Sequence, residues 1–196
     1  MFLRNNKEDD DDILFTVYMK YIDGVKESSE FSAAEKTNVI TRLHAISYIF
    51  TKTLMNINDY LNDHEILRTE DVYVMDEEGH EDGVYKVYIF DNPEIAANPE
   101  IIKLGEHYPG TMISFCSIVA DEPHFEFHYG DELICSVKIS MGPMCLIDHH
   151  VAKDLTDPKA AELADLIGKA SGEAMVDYYK LTLNVDDKVS DKSANT

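Results

Sequence analysis

The segment His124-Phe125-Glu126-Phe127-His128 holds the residue types best suited to chemistry in this chain. On a strand, alternate residues share a face. His124, Glu126 and His128 then line one side, and Phe125 and Phe127 the other. Imidazole and carboxylate are common ligands of zinc, iron and manganese. The same pair suits general acid–base work. His124, Glu126 and His128 are therefore the candidate metal ligands, with a divalent ion such as zinc as the implied cofactor. A half-exposed antiparallel strand shows the same alternation, so a plain sheet surface is the competing explanation.

The turn after this segment decides what faces it. Gly130-Asp131 reads as a two-residue hairpin loop. Tyr129 then faces Glu132, His128 faces Leu133, Glu126 faces Cys135 and His124 faces Val137. That register sets the Cys135 thiol between the two imidazoles. A three-residue loop reverses the parity and moves Cys135 to the phenylalanine side.

A second cluster, Asp148-His149-His150, follows the apolar Cys145-Leu146-Ile147. A short strand ending in Asp-His-His resembles one motif of the DHH-type phosphoesterases. That family implies paired aspartates on an early strand of a much larger doubly wound domain. Here Asp9 to Asp12 precede a strand-like segment instead of following one, and the chain of 196 residues is too short. The resemblance is confined to these three residues and does not assign the family. The triplet completes a metal site only if folding brings it to the His124 strand; otherwise it is a loop leading to the next helix.

No phosphate-binding glycine loop, nucleophile elbow or HExxH helix occurs. The expectation is therefore a protein that is not an enzyme, and charge supplies the alternative. There are 38 acidic residues against 17 basic ones, a net charge of −21. Such a field repels nucleic acid and anionic membranes, and no segment clusters Lys and Arg against it. Between Asp59 and Asp82 stand ten acids and one base, Arg68. Glu70, Asp71, Asp76, Glu77, Glu78, Glu81 and Asp82 form the candidate contact region for a basic protein surface. Dense carboxylates stand in for phosphates and steer a basic partner. The function this predicts is an acidic interaction protein: an inhibitor, an immunity or antitoxin-type protein, or a DNA mimic. The alternatives are a small metal-dependent enzyme using the His/Glu/His strand, and a structural or assembly subunit.

Cys116, Cys135 and Cys145 are odd in number and form no CxxC pair, which suits a reducing compartment. No signal-peptide core and no stretch of membrane-spanning length is present in the sequence, so a cytoplasmic location is expected.

Two elements are strongly patterned. Ser32 and Glu35 form a capping box. Val39, Leu43, Ile46, Phe50, Leu54 and Ile57 then recur at helical spacing to about Asn62, with Thr, Asn, Lys and Arg on the other face. Asp157 as N-cap and Pro158 start a second helix whose inner stripe is Ala160, Leu163, Ile167, Ala170, Ala174, Tyr178 and Leu181. Ala164, Gly168 and Gly172 lie four apart beside that stripe. They suit close packing within the chain or a homodimer seam.

Residues 13–22 favour a strand by composition, with a helix start as the alternative. Strands are expected at 72–75, 84–90, 111–119, 124–129 and 132–140, with a further short one at 145–147. Asn92-Pro93 and Asn98-Pro99 suggest two short helical turns. The organisation predicted is a flexible acidic lead over 1–12, one domain over 13–183 and a disordered tail over 184–196. The fold class is α+β, with a central, mostly antiparallel sheet and two long helices packed against it.

Overall fold

Helix starts are the most local feature of the fold, and both predicted ones form. The computed structural model describes residues 10–61, 68–75, 81–89, 110–117, 123–140 and 146–193. At Ser32 the backbone N–H and the hydroxyl both donate to Glu35 Oε2, at 2.8 and 2.6 Å. This box opens α2 (Ala33–Leu61). Asp157 Oδ1 accepts from the N–H groups of Lys159 and Ala160 at 2.7 and 3.4 Å and opens α3 (Pro158–Ser193).

The segment 13–22, expected as a strand, lies inside helix α1 (Asp10–Glu27). Tyr18, Ile22 and Val25 are buried, at spacings of four and three. That spacing makes one helical face, which outweighs the β-favouring composition. The helix starts within the predicted acidic lead. At the other end, residues 184–193 are helical where a disordered tail is expected. This stretch holds no Gly or Pro to stop the helix.

The strands are β1 (Arg68–Met75), β2 (Glu81–Ile89), β3 (Thr111–Ser117), β4 (His124–Tyr129), β5 (Glu132–Ile139) and β6 (Ile147–Val151). They form one sheet in strict chain order, each antiparallel to the next. The class is α+β, as the element pattern implies. The turn between β4 and β5 is Gly130-Asp131, with Gly130 at φ 52° and Asp131 not at positive φ. Positive φ at the first turn position matches the twist of the flanking strands. The expected turns at 92–93 and 98–99, the contacts at Asp76, Glu77 and Glu78, and Cys145 lie outside the described residues.

Helices α2 and α3 pack on each other and cover one face of β4, β5 and β6. Asn56 Nδ2 donates to Ala170 O at 3.1 Å, and Tyr60 donates to Glu173 at 2.9 Å. Phe50 of α2 sits 5.3 Å from Phe125 and 6.4 Å from Phe127, ring to ring. All three rings are buried. Each contributes about 1.5–3 kcal/mol by leaving water.

Two details of the helices differ from expectation. Arg42, assigned to the solvent face of α2, is buried. It stands three residues after Val39 and four before Ile46, which places it on the inner stripe. Leu181 continues the inner stripe of α3 in sequence yet is 52% exposed. At 36 residues α3 is about 54 Å long, and it outruns the strands it crosses.

The row of small residues on α3 closes on the same chain at its first two positions. Ala164 is buried. A Cβ built on Gly168 would stand 2.9 Å from Cγ2 and 3.1 Å from Cγ1 of Val151, so Gly168 admits β6 to the helix. A Cβ on Gly172 would meet nothing within 4 Å.

Candidate functional site

Pleating places His124, Glu126 and His128 on the sheet face away from α2 and α3, while Phe125 and Phe127 enter the core. The three polar side chains are 21%, 24% and 19% exposed. Both imidazoles turn toward the one carboxylate. His128 Nε2 lies 3.0 Å from Glu126 Oε2, and His124 Nε2 lies 3.9 Å from Oε1. The His124 ring also meets Phe115 of β3 edge-on, with centroids 5.7 Å apart. Glu126 and His128 thus share a hydrogen bond, an arrangement able to hold or pass a proton. Among the described residues, no three His, Cys, Asp or Glu side chains converge as a metal cage.

The thiol does not join this cluster. The two pairs nearest the turn form as expected, Tyr129 with Glu132 and His128 with Leu133. The register then shifts: Phe127 pairs with Cys135, Glu126 with Ser136, Phe125 with Val137 and His124 with Lys138. Ile134 is the extra residue of a β-bulge. One extra residue reverses the parity of everything beyond it, so Cys135 moves to the phenylalanine face. The parity change expected from a longer loop comes from a bulge instead.

On that helix-covered face a different cluster assembles. Ser171 Oγ of α3 lies 2.8 Å from His149 Nε2 of β6. Cys135 Sγ lies 3.8 Å from each of these atoms. The serine oxygen is also 2.8 Å from the carbonyl of Ile167 one turn back, the usual resting bond of a helical serine. Burial pushes the Cys135 thiol up to about 11, partly offset by the Ser171 hydrogen bond. The His149 imidazole is held below its ordinary value, first by burial and then by His150, with Asp148 acting in the opposite sense. Cysteine, histidine and serine side by side suggest a nucleophile and its base. The details run against that use. The thiol is held protonated, and Ser171 and Cys135 are both fully buried. The trio instead ties β6 and β5 to α3.

The two histidine clusters meet only in part. His149 and His150 are adjacent on a strand and point to opposite faces. His150 shares the open face with Glu126, with Ser136 between them in the row. Two strand spacings separate the backbones of Glu126 and His150, about 10 Å. Asp148 pairs in register with Lys138, one row along.

No protein-family model matches this chain, and comparison with curated proteins and with solved structures finds no significant match.

Beside β6 runs a groove of about 840 Å³, lined by Glu132, Leu133 and the continuous run from His149 to Leu155. Its far wall is the link from β6 to α3. Thr156 anchors that link by donating its N–H and hydroxyl to Glu132 Oε1, at 3.1 and 2.7 Å. The hydroxyl bond, then the N–H bond, hold the Glu132 carboxyl below the usual range. Ser171 and the groove were missed in the sequence. The one available signal for Ser171 was a hydroxyl residue beside an otherwise apolar and small-residue stripe.

The acidic candidates that the structure describes sit at the opposite edge of the sheet. Glu70 and Asp71 lie on β1, which among the described residues pairs only with β2, and Glu81 and Asp82 open β2. No described helix is long and apolar enough to cross a membrane.

Proposed function

We propose that this protein binds a basic protein surface through its acid-rich β1–β2 hairpin, acting as an inhibitor, an antitoxin or immunity-type protein, or a DNA mimic. The observation that carries the reading is the run of ten acids to one base from Asp59 to Asp82, of which Glu70, Asp71, Glu81 and Asp82 lie on the described strands of an edge hairpin, in a chain of net charge −21. Carboxylates on an edge hairpin can approach a basic groove without displacing the core. Free, buried Cys116 and Cys135 suit a reducing compartment, and the cytoplasm is the location this reading takes.

The test is a titration of the protein against a lysine-rich polypeptide at rising salt. Neutralising Glu70, Asp71, Glu81 and Asp82 together should weaken binding far more than neutralising Asp23, Glu27, Glu30 and Glu173. Binding that persists at about 1 M salt, where charges are screened beyond roughly 3 Å, would sink the reading.

A second reading, a metal-dependent enzyme with zinc on His124, Glu126 and His128, draws on the two imidazoles turned to one carboxylate, three side chains that would have to close further to form a cage. Elemental analysis of untagged protein decides it. About one zinc per chain, lost in His124→Ala and His128→Ala, would support it. No uptake from excess zinc would end it.

A further inference from the structure

Strand β6 is the second edge of the sheet, and its backbone shows which groups face outward. Ser140 donates its N–H to Leu146 O, and Ala152 donates to Ile134 O, both at 3.0 Å. With the register Ser136 to His150 and Lys138 to Asp148, the residues 146, 148, 150 and 152 bond inward to β5. The N–H and C=O groups of Ile147, His149 and Val151 therefore point away from the sheet. Among the described residues no backbone bond meets them. The groove lined by His149 to Leu155 also takes in Glu132 and Leu133 of β5.

The geometry points to β6 as a docking edge for an extended basic segment of a partner protein, added to the sheet as a seventh strand. This goes beyond the hairpin reading: β6 is a second site, at the opposite edge of the sheet. Two observations choose the occupant. The first is charge: Glu132, Asp148, Asp154 and Asp157 surround the edge, against Lys153 and, one strand in, Lys138. The second is alternation. An added strand sets one row of its side chains over Leu133 and His150 on the open face and the other over Val151 and His149 on the helix face. Exposed Leu146 extends the apolar contact at the start of β6. A second copy of this chain is disfavoured as occupant, since two chains of charge −21 repel.

Tethering matters too. The His149–Ser171 bond and the Val151–Gly168 contact fix β6 to α3. These contacts hold β6 in place against α3 before any partner arrives, which lowers the ordering cost of docking.

The experiment uses a fluorescein-labelled peptide of alternating lysine and valine, about seven residues long, enough to span β6. Its binding to the full chain is followed by fluorescence anisotropy at low ionic strength, with amide hydrogen exchange by NMR. The expected result is new protection at Ile147, His149 and Val151, and a loss of about tenfold or more in affinity in Asp148→Lys with Asp154→Lys. Both positions are exposed, so the fold should survive, and unchanged far-ultraviolet circular dichroism checks this. Glu70→Lys with Asp71→Lys, about 24 Å away across the sheet, should leave peptide binding nearly intact. If binding instead follows Glu70 and Asp71 and ignores Asp148 and Asp154, the β6 proposal falls while the acidic-hairpin reading stands. If the peptide does not bind at all, the β6 proposal falls.

Discussion

His149 Nε2 and Ser171 Oγ, 22 residues apart in sequence, meet at 2.8 Å and join the outermost strand to the longest helix. The bond lies at the rim of a buried region, with Ser171 fully enclosed and His149 partly so. A hydrogen bond of this kind is worth about 1 kcal/mol net. Ser171→Ala and His149→Ala should each destabilise the protein, and the double variant should cost less than the sum of the two. Urea unfolding of the four proteins measures this, with an expected coupling of about 1 kcal/mol. Strict additivity would mean that the bond contributes nothing.

The same histidine makes stability depend on pH. Burial, then His150, lower its proton affinity in the folded state, with Asp148 opposing. In the unfolded chain the imidazole titrates near about 6.5. Below that value the unfolded state binds more protons than the folded one, so stability falls as pH falls. The contribution is fully present above about 6.5 and is lost as pH drops through the lower, folded value. The urea midpoint should decline from about pH 7 to about pH 5, and His149→Gln should flatten part of that slope. An identical slope in His149→Gln would assign the effect to other groups.

Two glycines on α3 should respond to alanine with opposite signs. Gly168→Ala brings a Cβ to 2.9 Å from Val151, a β-branched side chain with little freedom to yield. Overpacking of this kind costs about 1–3 kcal/mol, which exceeds the gain in helix propensity. Gly172→Ala meets open space, so it should stabilise by about 0.5–1 kcal/mol. Thermal melts of the two variants test the contrast. The double variant Gly168→Ala, Val151→Ala should recover part of the loss.

The described thiols should be inert in the folded protein. Burial raises Cys116 to about 12 and Cys135 to about 11, so both stay protonated at neutral pH. Only the thiolate attacks an alkylating reagent. Peptide mapping after brief iodoacetamide treatment should show both unmodified in the native state and both modified in urea. Rapid native labelling of Cys135 would reveal an opening at the α3 contact.

Sequence alone determined the features that depend on near neighbours. The Ser32–Glu35 box and the Asp157-Pro158 start are each settled within four residues, because a cap bonds to its own helix. Gly130-Asp131 set the β4–β5 hairpin for the same reason, and the charge needs no fold at all. Tertiary structure decided the rest. Residues 13–22 became a helix because Tyr18, Ile22 and Val25 had a core to face, which local composition does not record. Cys135 left the histidine face because Ile134 was taken as a bulge residue, its carbonyl used by Ala152 of the next chain segment. His149 found Ser171, and not the His124 strand, because strand parity and the crossing of α3 over β6 are set by long-range packing. Parity past a bulge and the partner of a buried polar group are global quantities, fixed only when all the layers close together.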